Sequence, residues 1–248
     1  MGKSPLNSIK IVLNQTSHPG NIGAAARAMK TMGLRDLILV NPKTSLDTVA
    51  YARASGATDI LDSAVITRNL DIALSESQIV IATSARQRNI KIPTFNPKEA
   101  ALRINESLNS GLKVALLFGN EQHGLSNLEL QKCQEQIIIP TSNEYRSLNL
   151  ATAVQLICYE IFCANNISNK ETITKCDDRA SSDEIERLFT HIISTLRHID
   201  YLEDKRSTKI SQKLKVILHK YELTTSQVQI LRGVLTQIDK RTYKKTNV

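Results

Sequence analysis

A chain of 248 residues, 41% of them hydrophobic, has the material for one substantial α/β domain with a smaller appendage. Its formal net charge of +8 suggests a polyanionic partner. No apolar run approaches the ~18 residues that cross a bilayer, the amino terminus lacks the apolar stretch of a signal peptide, and the four cysteines show neither a CxxC pair nor a framework spacing; membrane, secreted and zinc-ribbon classes are set aside and a cytoplasmic location is expected.

A first strand is expected over 9–13, ending in a loop crowded with turn residues from Asn14 to Asn21. Ile22, Ala25, Ala26, Met29 and Met32 then fall at helical spacing, with Gly33 placed to stop the helix. A second strand over 37–40 completes a strand-helix-strand unit, which implies a right-handed parallel crossover. Helical sequence over 45–54 and around 69–76 leads to a continuous apolar run over 79–82 that suits a strand buried on both faces. After a Pro-containing segment over 92–97 comes a helix with Glu99 in its first turn, then strands over 114–118 and 137–139, then a long helix over 148–164. The chain therefore reads as an α/β parallel-sheet domain over 1–165. A polar linker is expected over 166–181, and a helical extension over 182–248 with helices from 182, over 207–221 and over 226–241. The extension is electrically split: residues 170–204 carry five bases and nine acids, whereas 205–248 carry eleven bases and two acids. A block of that contrast, with Lys205, Arg206, Lys209, Lys213, Lys215 and Lys220 uninterrupted by acid, reads as a phosphate-binding surface.

Three polar loops each follow a strand: Thr83-Ser84-Ala85-Arg86, Phe118-Gly119-Asn120-Glu121-Gln122-His123-Gly124, and Ile139-Pro140-Thr141 running to Ser147-Leu148-Asn149-Leu150. Strand ends of an open parallel sheet converge on one edge, where free backbone groups hold small polar ligands. Thr83, Ser84, Gly119 and Ile139 offer the hydroxyl, amide and apolar contacts that surround an adenosine. Ser147 and Asn149 either meet a ligand or cap the long helix. The loop with Gly20 and Gly23 is not a dinucleotide fingerprint, since a third glycine and a later acidic residue are missing. Its helix-start amides with Arg27 one turn inside suit a phosphate, or the glycines simply permit a turn and close helix packing. His18, His123 and Cys133 lack ligand spacing, so no metal is expected. No nucleophile elbow or carboxylate pair suggests a hydrolase.

The stretch from Asn14 to Gly33, with Thr16-Ser17-His18-Pro19-Gly20-Asn21-Ile22-Gly23 and Ala26-Arg27-Ala28-Met29, the loop Phe118-Gly119-Asn120-Glu121 to Gly124-Leu125, and Ser147-Leu148-Asn149-Leu150-Ala151 resemble the three ordered motifs of the SPOUT (TrmH-like) RNA 2′-O-methyltransferases across residues 9–165. Thr83-Ser84-Ala85-Arg86, Leu130-Gln131-Lys132-Cys133 and Ile230-Leu231-Arg232-Gly233 look like the branch that methylates the ribose of cytidine or uridine at position 32 of the tRNA anticodon loop. The resemblance implies a parallel-sheet fold with a C-terminal trefoil knot, a homodimer, S-adenosyl-L-methionine as methyl donor, tRNA lying across both subunits, and neither membrane nor metal. By motif match, Thr83, Ser84, Ala85, Gly119, Ile139, Arg146, Ser147 and Leu148 would line the donor. Arg27 and Ser147 would be catalytic, and Asn21, Arg27, Arg86, Glu121 and Asn149 would meet the RNA. Two departures stand out: Arg146 replaces a small serine frequent in that branch, and Asn120-Glu121-Gln122-His123 differs from the Arg-Glu-Arg-Val of some members. Open alternatives are an enzyme of the same fold acting on the wobble ribose of tRNA or on ribosomal RNA, and a non-catalytic RNA-binding protein.

Overall fold

The computed structural model describes residues 5–85, 92–168, 178–202, 207–220 and 223–246. Strands β1 (Ile9–Asn14), β2 (Asp36–Val40), β3 (Val65–Thr67), β4 (Ile79–Ser84), β5 (Thr94–Phe95), β6 (Val114–Phe118) and β7 (Glu135–Ile138) form a parallel sheet in the order β3-β2-β1-β6-β4-β7-β5. Central β6 is buried along its whole length, which explains its unbroken apolar sequence. Strand alternation divides the core. Ile11, Leu13, Leu116 and Phe118 face helices α1 (Pro19–Thr31), α5 (Pro97–Asn109) and α7 (Leu150–Ser168), while Val12, Ala82, Ala115 and Leu117 pack with Leu74, Leu130 and Cys133 on the other side.

The parallel α/β architecture agrees with the sequence reading; several boundaries differ. Helix α1 begins at Pro19, because His18 Nδ1 accepts the Gly20 N–H at 3.0 Å as an N-cap and proline suits the first helical position. The 45–54 segment forms α2 only over Thr48–Ala54, capped by Asp47, and a further helix α3 (Thr58–Asp62) follows before α4 (Leu70–Leu74). Strand β7 starts two residues and ends one residue earlier than expected, and α6 (Asn127–Leu130), with its Ser126–Glu129 capping box, precedes it. Helix α7 starts at Leu150, with Asn149 as its cap, and continues to Ser168, so the first residues of the expected linker are helical.

Helices α8 (Ser182–His198), α9 (Ser207–Lys220) and α10 (Thr225–Thr246) enclose their own small core of Ala180, Ile185, Leu188, Leu218 and Val228. This bundle is tied to the sheet at the entry to β4, where Ser182 N–H donates to Ser77 O at 2.7 Å. His219, 1% exposed, sits between Glu186 at 3.0 Å and Gln134 at 3.4 Å, and Gln134 in turn accepts from Val80 N–H at 2.7 Å.

Candidate active site

The carboxyl ends of β4, β6 and β7 open into a cavity of about 390 Å³. Thr83, Ser84 and Ala85 enter it from β4, Gly119 and Glu121 from the loop after β6, and Ile139, Arg146, Ser147 and Leu148 from the segment between β7 and α7. All eight residues expected to line a methyl donor therefore share one cavity. Phe118, Asn120, Gln122, His123, Gly124, Leu150 and Ala153 complete the lining; Leu150 ends the third loop already singled out, the first five lie inside the second, and only Ala153, in the first turn of α7, carries no sequence signal.

The second loop has the shape its residues dictate. A Cβ at Gly119 would lie 2.3 Å from the Gly124 carbonyl carbon and 2.4 Å from Leu125 N, so only glycine lets the strands of this turn pass. Asn120 Oδ1 accepts from the N–H groups of Gln122 at 3.0 Å and His123 at 2.7 Å, an Asx turn that folds the loop onto itself, and Gly124 closes it with φ +66°.

Glu121 clamps this loop to the first one. Its carboxylate accepts from Ser17 N–H and Ser17 Oγ, both at 3.0 Å, from His18 N–H at 3.3 Å and from Asn21 Nδ2 at 3.0 Å. Burial pulls its pKa up, but the hydrogen bonds from Asn21 and Ser17 outweigh this and hold it below the ordinary carboxylate range. Asn149 Nδ2 donates to Asn21 Oδ1 at 2.9 Å, so the chain Asn149–Asn21–Glu121 joins all three motif stretches. Asn21 and Asn149 thus frame the cavity without lining it, and Glu121, expected on the RNA, is committed to the protein's own loops.

Arg27 is exposed on α1 and is not among the cavity's lining residues. Arg146 Nη2 donates to Asn143 Oδ1 at 3.0 Å, while Ser147 is exposed at the cavity wall. Arg86 lies outside the described residues. Gly23 serves packing: a Cβ there would lie 1.9 Å from Ala50 O in α2, so this glycine has the close-packing role rather than that of a phosphate cradle. Burial pushes the Cys133 thiol well up and the Cys158 thiol to about 12, which leaves neither a thiolate nucleophile at neutral pH. Among the described residues no group of three or more His, Cys, Asp and Glu is placed to hold a metal ion, and no helix is long and apolar enough to cross a membrane.

Residues 8–159 match the SpoU rRNA Methylase family, and residues 183–247 match the tRNA methyltransferase TrmJ C-terminal domain. The chain is 41% identical over 251 residues, 95% of each chain, to the tRNA (cytidine/uridine/adenosine-2′-O-)-methyltransferase TrmJ of Pseudomonas aeruginosa. It is 40% identical over 237 residues to the tRNA (cytidine/uridine-2′-O-)-methyltransferase TrmJ of Sodalis glossinidius, covering 94% of this chain and 92% of that one. The crystal structure of TrmJ from Z. mobilis ZM4 superimposes with a TM-score of 0.82 at 31% identity, covering 93% of this chain and 98% of that one.

Proposed function

The chain belongs to the SpoU methylase family, and we propose that it transfers a methyl group from S-adenosyl-L-methionine to the ribose 2′-hydroxyl of cytidine or uridine at position 32 of the tRNA anticodon loop. The observation that carries this reading is the single cavity built from three separated loops and braced by the Asn149–Asn21–Glu121 chain.

The residues present fit the donor. The cavity's volume of about 390 Å³ falls in the range of small-molecule sites. Ile139, Leu148 and Leu150 offer apolar surface to an adenine, and Thr83, Ser84 and the 119–124 backbone offer hydrogen-bonding groups at strand ends. When bound, the donor supplies an electrophilic methyl on a positively charged sulfur. The protein's task is then orientation: the ribose oxygen must be held in line with that methyl at near-attack distance, and its proton must leave. In this reading Ser147, which is exposed at the cavity wall, holds the hydroxyl. Arg27, permanently charged, grips the neighbouring phosphate and stabilises negative charge growing on the oxygen; a guanidinium does not act as the base.

In the same reading residues 1–165 are the methyltransferase domain, 182–248 the RNA-binding extension, and the 139–149 segment with α7 threads the trefoil knot. Two copies associate in the cytoplasm, with the tRNA across both. The test is direct. Calorimetric titration with S-adenosyl-L-methionine should give saturable binding, and tRNA from cells lacking the protein should have lost ribose methylation at nucleotide 32. Loss at the wobble nucleotide or in ribosomal RNA would move the target, and absence of donor binding would refute the enzymatic reading.

A further inference from the structure

A second cavity of about 530 Å³ lies against the first and shares Asn120, Gln122, His123 and Gly124 with it, so the 119–124 loop is the partition between them. Its other walls are Asn14 and Gln15 at the end of β1, then Leu125, and Ser126 and Glu129 at the capped start of α6. Among the described residues its lining holds no lysine or arginine but does hold the Glu129 carboxylate, which disfavours a phosphate. Carboxamides and an imidazole suit the edge of an uncharged nucleobase instead.

Most of that polar lining is already satisfied. Asn14 Nδ2 donates to Glu129, Glu129 also accepts from Ser126 N–H at 2.6 Å, and Asn120 Oδ1 holds the Asx turn. The carboxamides of Gln15 and Gln122 are different: among the described residues neither makes a hydrogen bond. Gln15 is also held at φ +55°, a left-handed conformation disfavoured for a residue with a Cβ, by its N–H bond to Val40 O at 2.8 Å. A strained backbone that presents a polar side chain with no protein partner to a solvent-open cavity is a mark of ligand recognition.

We propose that this second cavity receives the base of the nucleotide whose ribose is methylated, and that Gln15 and Gln122 read its hydrogen-bonding edge. The inference rests on the tRNA methyltransferase reading above. A primary amide presents a donor and an acceptor side by side, and rotation by half a turn exchanges them. Cytosine offers an acceptor beside an amino donor, and uracil offers an N–H donor beside a carbonyl acceptor. The same two glutamines therefore serve either pyrimidine, whereas a fixed cationic or anionic side chain would favour one.

The experiment compares full-length protein on tRNA transcripts carrying cytidine, uridine or an abasic ribose at the target nucleotide. The variants are Gln122→Ala and Gln15→Asn; asparagine tolerates a positive φ but is one methylene shorter. The abasic transcript should react about tenfold or more slowly with the wild-type protein, since the paired polar groups lose their partner. Gln15→Asn should lower kcat/KM on the base-bearing transcripts by about tenfold while leaving the abasic rate unchanged; Gln122→Ala, whose residue also lines the donor cavity, should lower kcat/KM on the base-bearing transcripts by about tenfold more than on the abasic one. Gln15 lies outside the donor cavity, so Gln15→Asn should also leave the Kd for S-adenosyl-L-methionine unchanged. An abasic transcript methylated as fast as the others, or a Gln15→Asn protein that slows the abasic and base-bearing transcripts equally, would overturn the proposal. Donor binding with no methylation of any tRNA would instead refute the substrate reading beneath it.

Discussion

Asn149 Nδ2 donates to Asn21 Oδ1 at 2.9 Å, although 128 residues separate the two along the chain. Asn21 uses its own amide N–H to reach Glu121 at 3.0 Å, so the starts of α1 and α7 and the 119–124 loop hold one another in register. Asn149 Oδ1 meanwhile caps α7 through Ala151 N–H at 2.9 Å. Asn149→Ala removes both contacts and should cost about 1 kcal/mol of stability through the lost cap, with a fall in single-turnover rate of about tenfold or more as the loops lose alignment. Asn149→Asp keeps the capping oxygen but sets a carboxylate against Asn21 Oδ1. If Asn21 flips to satisfy it, its oxygen meets Glu121 instead. This variant should therefore retain its Tm and lose its rate; a wild-type rate would show that the contact does not set the site.

Two glycines separate stability from ligand binding. Gly119→Ala places a Cβ within 2.4 Å of the 124–125 backbone, next to the donor cavity, whereas Gly23→Ala drives one to 1.9 Å from Ala50 O between α1 and α2. The first should weaken S-adenosyl-L-methionine binding at least about tenfold, because the loop lining the cavity must move. The second should cost about 1–3 kcal/mol in denaturant unfolding, as overpacked interfaces do, and change donor affinity little in the fraction that folds. A Gly119→Ala protein with unaltered donor affinity would separate the loop from the donor site.

The sheet's interior was legible because strands buried on both faces leave unbroken apolar runs, as in β4 and β6. Strands β3 and β5 were not: they have three and two residues, too few to show alternation, and exist through pairing with β2 and β7. Apolar spacing begins only at Ile22 and so points to a late start for α1, while the true signal is the His18 cap followed by Pro19. Motif order points to loops far apart in sequence that the fold brings to one cavity. The loop-clamping bonds of Glu121 to Ser17, 104 residues away, leave no trace in local spacing. Gln15 likewise reads as one more turn residue until its positive φ and the cavity beside it are seen.

Arg27 is exposed and, among the described residues, its guanidinium has no partner. Arg27→Ala should therefore shift unfolding free energy by no more than about 0.5 kcal/mol while sharply reducing kcat and weakening tRNA binding. Arg27→Lys keeps the charge but loses the planar fork, so it should recover affinity and not turnover. Near-complete turnover by the lysine variant would contradict bidentate recognition of a phosphate.

The helical extension carries an acid-sensitive joint. Burial pulls the Glu186 carboxyl up, but hydrogen bonds from His219 and Lys215 bring it down to about 2. A depressed folded-state pKa means that its stabilisation is fully present above the unfolded value of about 4.3 and disappears as pH falls through about 2. Glu186→Gln should be less stable than the wild type at neutral pH, and the two unfolding curves should converge between those pH values. Parallel curves down to pH 2 would assign the acid sensitivity to other groups.

Lys209, Lys213 and Lys220 are all exposed on α9 and stand four and seven residues apart. At ~100° per residue they fall within about 40° of one another, a straight basic stripe roughly 16 Å long. Lys215, between them, points elsewhere and pairs with Glu186 at 2.9 Å. A stripe that binds tRNA phosphates releases one counterion or so per lysine, so each of Lys209→Ala, Lys213→Ala and Lys220→Ala should reduce the slope of log affinity against log salt by about 1, equally for all tRNAs. Lys215→Ala should instead lower the stability of the extension and leave that slope alone. If the triple variant binds tRNA with the wild-type slope, the stripe is merely a solvated helix face and the phosphate contacts lie elsewhere.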